Sequence, residues 1–301
     1  MAKVILKKNE DKRIKQGHLW IFSNEIQSVE GNPENGDLVK VYDSQKNFLA
    51  QGFYNKNSLI SVRILSREKE IDIKELFKQR LISAYNFRKI VYPDRESFRM
   101  VFSESDFLPG LIIDKYNDTY VLQIYSAGME KNIEAVIEIL QSEFSAKNIF
   151  TKNEEYFRQL EGLKAEDKIY KGDIPTEIIS DGEVKYKIDF ITSHKTGFYF
   201  DQCDNRIFAG KLCRDKNVLD CFCNAGGFGL NAAKCGAKSI TFVDSSKREI
   251  ENAKFNFQLN NLSCENEFIV SDVFNFLEES INQNKKYDVV IIDPPAFAKN
   301  K

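Results

Sequence analysis

The residues best placed for chemistry lie in the last third of the chain. Asp220-Cys-Phe-Cys-Asn-Ala-Gly-Gly-Phe-Gly229 joins an apolar run, Val218 to Phe222, to a helix-period run from Leu230 to Cys235 that Gly236 closes. Glycines let the backbone approach a ligand closely, and the N–H groups at a helix start favour a negative or polar ligand group. Further carboxylates follow in corresponding places. Asp244 ends the run Ser239 to Val243, Asp272 follows Phe268 to Val270, and Asp293-Pro-Pro-Ala-Phe297 follows Asp288 to Ile292. In an open α/β sheet the ligand sits outside the carboxyl ends of the strands, at the switch point, so Asp220, Asp244, Asp272 and Asp293 would share one rim.

What would bind there can be weighed from charge. An acid at Asp244 can accept hydrogen bonds from ribose hydroxyls. Gly227-Phe-Gly229-Leu-Asn-Ala232 fits the GxGxxA pattern of dinucleotide sites, and Asp244 follows Gly227 by seventeen residues. Two features oppose a nicotinamide dinucleotide. The glycines come several residues after the strand, and Asp220, inside the strand, would set negative charge against a pyrophosphate. The same carboxylate suits a cation, the ammonium of S-adenosylmethionine. The methyl donor is therefore the preferred ligand, ahead of NAD and of a plain tight turn. Asp293-Pro-Pro295 fixes the backbone just past a buried strand. It offers a rigid ledge of carbonyls, with the ring of Phe297, against a flat base. His194-Lys-Thr-Gly-Phe-Tyr-Phe-Asp-Gln202, followed by Arg206, mixes glycine, aromatics and Asp-Gln in a way that suits a lid over the donor's methionine end.

These residues need a sheet to hold them. From about residue 216 the pattern reads βαβαβαβ, with strands at Val218 to Phe222, Ser239 to Val243, Phe268 to Val270 and Asp288 to Ile292. Helices fall at about 227–235, 246–260 and 273–282. Alternation of this kind implies a parallel sheet covered by helices. Glu183 to Phe190 alternates strictly and reads as one arm of a hairpin. Residues 72–92 carry helical spacing, with Asp72 as N-cap and Pro93 as the stop. Strands near 99–103, 110–115 and 119–125, a helix from Glu130 to Leu140 and a strand at Ile149-Phe150 complete a middle α+β segment. Before it, Leu38 to Tyr42, Phe48 to Tyr54 and Leu59 to Leu65 read as short strands of a β-rich module. The division expected is 1–70, 71–182 and 183–301.

Composition sets outer bounds. The chain has 301 residues, and its 42% hydrophobic and 29% charged content is that of a globular protein. No apolar run reaches the roughly 18 residues of a membrane span, and the N-terminus has no signal-peptide pattern. A cytoplasmic protein with no membrane partner is expected. None of the six cysteines forms a CxxC pair, and His18 and His194 lie far apart, so no metal is expected. The cysteines read as buried free thiols. Residues 1–70 carry 12 basic and 9 acidic side chains, residues 71–182 carry 15 and 20, and the rest balance. A basic N-terminal end suits either a phosphate-backbone contact or an ordinary solvated surface.

Taken together these stretches resemble the class I 23S rRNA methyltransferases of the RlmI type, the YccW-like proteins, over essentially the whole chain. Gly17-His-Leu-Trp-Ile-Phe-Ser-Asn-Glu-Ile26 and Asn47-Phe-Leu-Ala-Gln-Gly-Phe-Tyr-Asn55 resemble the family's N-terminal PUA domain, an RNA-binding β-barrel. Phe102-Ser-Glu-Ser-Asp-Phe-Leu-Pro-Gly-Leu-Ile-Ile-Asp114 resembles its central α+β domain. Lys195 to Gln202 with Asn205-Arg206, the glycine turn, Val243-Asp-Ser-Ser246 and Asp293-Pro-Pro-Ala-Phe297 resemble its Rossmann-like catalytic domain. Ser193-His194 and Cys203 depart from the family's usual Gly-Gln and Arg.

The resemblance implies that Phe200, Asp201, Gln202, Arg206, Asp220, Gly226, Gly227, Asp244, Ser245 and Asp272 hold S-adenosylmethionine. Asp293, Pro294, Pro295 and Phe297 would serve the base. It implies 5-methylcytosine formation in 23S rRNA, with a nucleophilic cysteine in a Ser/Thr-Cys-Ser turn of a later strand, beyond Lys301. On this reading the chain is a C-terminally truncated fragment with an incomplete sheet. A catalytically incomplete RNA-binding remnant and a guanine-N7 methyltransferase are the alternatives. A homodimer is compatible with the sequence.

Overall fold

A computed structural model describes residues 1–193 and 195–295. His194 and Phe297, both singled out above, lie outside the described residues. Two compact units are present. One comprises residues 1–175 with 190–198, and the other 176–189 with 199 onward.

The first unit holds two sheets. Its N-terminal sheet is built from β1 (Lys3–Leu6), β2 (Trp20–Phe22), β3 (Ile26–Glu30), β4 (Leu38–Tyr42), β5 (Phe48–Tyr54) and β6 (Ile60–Ser66), with the one-turn helix α1 (Lys12–Lys15) between β1 and β2. The order is β2-β6-β5-β4-β1-β3, antiparallel except for the β1–β4 pair. Alternation drives it: Val39 and Val41 of β4 are buried while Leu38, Lys40 and Tyr42 stay half-exposed. The core gathers Val4, Leu6, Ile21, Val39, Val41, Ala50, Val62 and Ile64. Strands β1, β2 and β3 went unread in the sequence because three to five residues carry too little periodicity.

The second sheet follows α2 (Ile73–Val91), whose start is fixed where the Asp72 carboxylate accepts the N–H groups of Lys74 and Glu75. Then come β7 (Phe98–Phe102), β8 (Leu111–Tyr116), β9 (Thr119–Ile124), α3 (Ala127–Lys131), α4 (Ile133–Phe144), β10 (Asn148–Thr151), α5 (Glu155–Leu160) and β11 (Ile169–Lys171), in sheet order β11-β10-β9-β8-β7. The single helix expected from Glu130 to Leu140 is two. The Ser126 hydroxyl caps α3 by accepting the Met129 N–H, and Asn132 separates it from α4. Phe77 and Leu81 of α2 pack with Val136, Ile137 and Leu140 of α4 over the sheet.

The two sheets are tied by a buried polar knot. Arg63 donates to Glu104 at 3.0 Å and to Glu161 at 2.9 Å. The Trp20 indole N–H donates to Glu104 at 2.8 Å, and the Asn55 amide donates to Glu161 at 2.9 Å.

The second unit opens with the hairpin β12 (Thr176–Asp181) and β13 (Val184–Asp189). A 3-10 turn at Phe200–Gln202 leads into α6 (Cys203–Lys211). There follow β14 (Asn217–Cys221), α7 (Gly227–Lys234), β15 (Ser239–Asp244), α8 (Lys247–Leu259), β16 (Glu265–Val270), α9 (Val273–Asn282) and β17 (Val289–Ile292). The sheet order is β16-β15-β14-β17, parallel throughout. The chain therefore winds outward from β14 to β16 and returns to β14's other side. That reversal is a topological switch point between β14 and β17. Strand β17 ends the sheet among the described residues, with Val290 48% and Ile292 59% exposed.

Candidate functional site

The glycine turn is the loop between β14 and α7, and it lies beside the switch point. Cys221 pairs with Ile292, so the carboxyl ends of β14 and β17 adjoin, with Asp293 just past one and Phe222 just past the other. Gly226 stands at the N-cap of α7 with φ +86°, a left-handed conformation that a side chain disfavours. A Cβ on Gly229 would lie 2.2 Å from the ring of Phe242 on β15, so only glycine lets α7 settle on the sheet.

The turn's backbone is pinned from several sides. Asp220 accepts the Gly229 N–H at 2.8 Å, and Asp244 accepts the Asn224 N–H at 2.9 Å. From α8, the Asn256 amide donates to the Ala225 carbonyl at 3.2 Å. The Tyr186 hydroxyl of β13 and the Asn231 amide of α7 both donate to the Gly227 carbonyl, at 3.3 and 2.9 Å. Behind Gly227 lies Arg206, whose Nε a Cβ at 227 would approach to 2.6 Å; its guanidinium stands 3.9 Å from the buried Asp181 carboxylate. Sequence reading missed Tyr186, Asn231 and Asn256. An asparagine on the buried face of an amphipathic helix was the available signal, since such a polar group needs a partner.

The four rim carboxylates are not equivalent. Asp220 is 1% exposed, and burial pushes its carboxyl up to about 7, with the charges of Asp293 and Asp244 adding to the rise. The Gly229 N–H and Arg206 pull the other way. Asp244 is half-buried and also accepts the Ser246 N–H at 2.9 Å; each of its oxygens keeps a lone pair for a further donor. Asp272 is exposed and caps α9, accepting the N–H groups of Phe274 and Asn275. Asp293, Pro294 and Pro295 are exposed past β17. Ser245 is exposed beside Asp244, and Asp201 is exposed on the turn that feeds α6, with Phe200 and Gln202 half-buried there. Thus Asp220, Gly226, Gly227, Asp244 and Arg206 are gathered at one turn, Asp293 adjoins through β17, and Asp272 stands at the end of β16.

The two cysteines beside the glycine turn, Cys221 and Cys223, are not poised to attack. Burial and the neighbouring Asp220 push the Cys221 thiol up to about 11, and Cys223 is likewise raised by burial and by Asp220. Cys203, Cys213, Cys221 and Cys223 are buried free thiols, as the sequence suggested, whereas Cys235 and Cys264 are free but only half-buried. Among the described residues no cluster of His, Cys, Asp or Glu could hold a metal ion, and no helix is long and apolar enough to cross a membrane.

Comparison with known proteins agrees with this architecture. A PUA-like domain model matches residues 4–67, and the model described as conserved hypothetical protein 95 matches residues 196–301. The solved structure of the methyltransferase SMU.776 with SAH superposes with a TM-score of 0.85 at 21% identity, over 100% of this chain and 78% of that one. A SAM-dependent methyltransferase from Streptococcus mutans gives 0.81 at 20% identity, over 98% and 77%. Sheet order, switch point and glycine turn define a Rossmann-like α/β unit, preceded by a PUA-like domain. Among curated relatives, ribosomal RNA large subunit methyltransferase I of Vibrio campbellii is 39% identical over 308 residues, spanning 100% of this chain and 77% of the relative. The enzyme of the same name from Aeromonas hydrophila is also 39% identical over 308 residues, with the same coverage. The chain belongs to the ribosomal RNA large subunit methyltransferase I family.

Proposed function

We propose that this protein transfers a methyl group from S-adenosylmethionine to large-subunit rRNA and that its product is 5-methylcytosine. The observation that carries the reading is the likeness, over the whole of this chain and 77% of the relatives, to ribosomal RNA large subunit methyltransferase I, joined to a glycine turn whose residues fit the donor. The fit rests on three features: a turn that brings backbone close at Gly226 and Gly227, a buried acid at Asp220 that a cation would stabilise in its charged form, and spare acceptor capacity on Asp244 for ribose hydroxyls. Phe200, Asp201, Gln202, Arg206, Ser245 and Asp272 complete the set proposed to hold the donor. Residues 1–70 would grip RNA, residues 71–182 would support them, and residues 183–301 would carry the donor. An rRNA substrate places the enzyme in the cytoplasm.

Bound S-adenosylmethionine supplies an electrophilic methyl group. Cytosine C5 is a weak nucleophile, so a thiolate must first add to C6. Cys221 and Cys223 are unsuited, being buried and held in the thiol form. Asp293, with Pro294, Pro295 and Phe297, would orient the base, and the Asp293 carboxylate could take up a proton. The raised thiols of Cys221 and Cys223 equally favour guanine-N7 methylation, which needs no thiolate.

The deciding measurement is transfer of labelled methyl from S-adenosylmethionine to 23S rRNA, followed by nucleoside analysis. 5-Methylcytidine is expected. 7-Methylguanosine would replace the cytosine reading, and RNA binding without transfer would mark a remnant that has lost catalysis.

A further inference from the structure

The outer face of the N-terminal sheet gathers positive charge around two aromatic rings. Alternation puts Lys3 of β1 and Lys40 and Tyr42 of β4 on that face, while Val4, Val39 and Val41 turn into the core. Lys3 stands opposite Lys40 across the β1–β4 pair. Like charges placed opposite one another on neighbouring strands are unfavourable. Lys3 has Glu30 of β3 on its other side, yet its ammonium leans the other way, 5.9 Å from the centroid of the Tyr42 ring. Glu70 meets Lys40 at 2.8 Å with its own side chain 87% exposed. Lys46 and Lys69 are exposed and, among the described residues, have no carboxylate partner.

Tyr42 pairs with Phe48 across β4 and β5, with ring centroids 5.9 Å apart and planes at 79°. Both are half-buried, so ring surface stays open to solvent. The turn between them is held firmly. Asp43, 6% exposed, accepts the N–H groups of Gln45 and Asn47 at 2.9 and 2.8 Å and the Asn47 amide at 3.0 Å. That carboxylate is therefore engaged inside the turn. Lys46 sits in the same turn with a left-handed φ of +64°. Lys40, Tyr42, Lys46, Phe48 and Lys69 line one open cavity of about 510 Å³. Small-ligand sites span roughly 300–1,000 Å³.

Rings set among unpaired lysines suit a nucleic-acid strand whose bases are free. A base stacks on a ring, and the neighbouring phosphates meet the ammonium groups. A duplex keeps its base faces stacked inside and offers such a surface only its phosphates. We propose that the β4–β5 face is a stacking platform for single-stranded RNA: Tyr42 and Phe48 receive an unpaired base, and Lys3, Lys40, Lys46 and Lys69 take the adjoining phosphates. That the strand belongs to the rRNA substrate rests on the function proposed above.

The test uses the full chain and follows the fluorescence anisotropy of a short labelled single-stranded RNA, with an unlabelled duplex of the same length and AMP as competitors. The wild type should prefer the single strand. Tyr42→Leu should bind it about tenfold more weakly, the loss of one stacked base, while Tyr42→Phe keeps the ring and should bind as the wild type does. Lys46→Ala combined with Lys69→Ala should reduce the slope of log K against log salt by roughly 1.4, the share of two single-strand phosphates. Lys147→Ala combined with Lys164→Ala, exposed lysines elsewhere on the same unit, should leave affinity and slope unaltered. Should Tyr42→Leu fail to fold, the exposed lysine pair decides. Equal competition by duplex and single strand, wild-type affinity in a folded Tyr42→Leu, or an equal loss in the Lys147 and Lys164 variant overturns the platform. Competition by AMP as strong as that of the strand makes the cavity a mononucleotide site and overturns it too. Methyl transfer to 23S rRNA that the platform variants leave intact, with RNA binding also intact, sinks the platform and spares the function. Platform-dependent RNA binding in a wild type that transfers no methyl supports the platform and sinks the function instead.

Discussion

Asp220 makes the most specific demand on chemistry at the scale of single residues. Its folded value near 7 lies above the ordinary 3.8, through burial. The native chain therefore keeps a proton between those values that the unfolded chain has already lost, so stability without ligand falls as pH rises across that window and levels off above it. A cationic ligand needs the charged form, so its affinity should move oppositely, strengthening by roughly tenfold between pH 6 and pH 8. Calorimetry with S-adenosylhomocysteine at the two pH values checks this; persistence of the same dependence in Asp220→Asn would remove Asp220 as its source. Gly229→Ala should cost about 1–3 kcal/mol in a urea titration, the range for overpacking, because the new Cβ meets the Phe242 ring at 2.2 Å. Asp220, Asp244 and Asp293 could be picked out as candidates in the sequence because each lies within, at the end of or just past an apolar strand. The buried hydrogen bond from Thr196 to Asp114 was not: its partners stand 82 residues apart, and no local period reports a contact of that range.

Among elements, α9 separates two meanings of one residue. Asp272 was read as a donor contact, and it also caps the helix. Asp272→Ala should destabilise by about 1 kcal/mol through the lost cap, measured by denaturant unfolding. Asp272→Ser keeps a capping oxygen without the charge, so it should hold stability. A fall in S-adenosylhomocysteine affinity in that variant would mark ligand contact, and unchanged affinity would leave Asp272 a cap alone. The βαβ run was legible because long parallel-sheet elements repeat their pattern; β14, β15 and β17 lie within a residue of their expected bounds, and β16 begins at Glu265, ahead of the expected Phe268. The N-terminal sheet was half-read, since β1 lies between β3 and β4 and that arrangement follows from the fold, not from spacing.

At the scale of the molecule, the first unit depends on charge pairing more than its apolar cores suggest. Arg63 joins Glu104 and Glu161, with side chains 13%, 22% and 4% exposed. Arg63→Ala leaves Glu161 without its guanidinium partner and should destabilise the unit by about 3–5 kcal/mol, visible as a lower urea midpoint. Neither that knot nor the division of the chain into two units could be read from composition, because both depend on residues distant in sequence.

The return of residues 190–198 to the first unit bears on how such a protein can be inherited or rebuilt. A single genetic crossover placed anywhere between residues 176 and 198 would separate Phe190, Ser193, Thr196 and Phe198 from Lys152, Asp114 and Tyr116, or part the hairpin from the α/β sheet it belongs with. The methyl-transfer unit is thus not a cassette. Exchange between relatives would succeed as whole-chain replacement or by two coordinated exchanges, and a chimera joined at one seam should inherit a buried aspartate matched to a strap it did not evolve with.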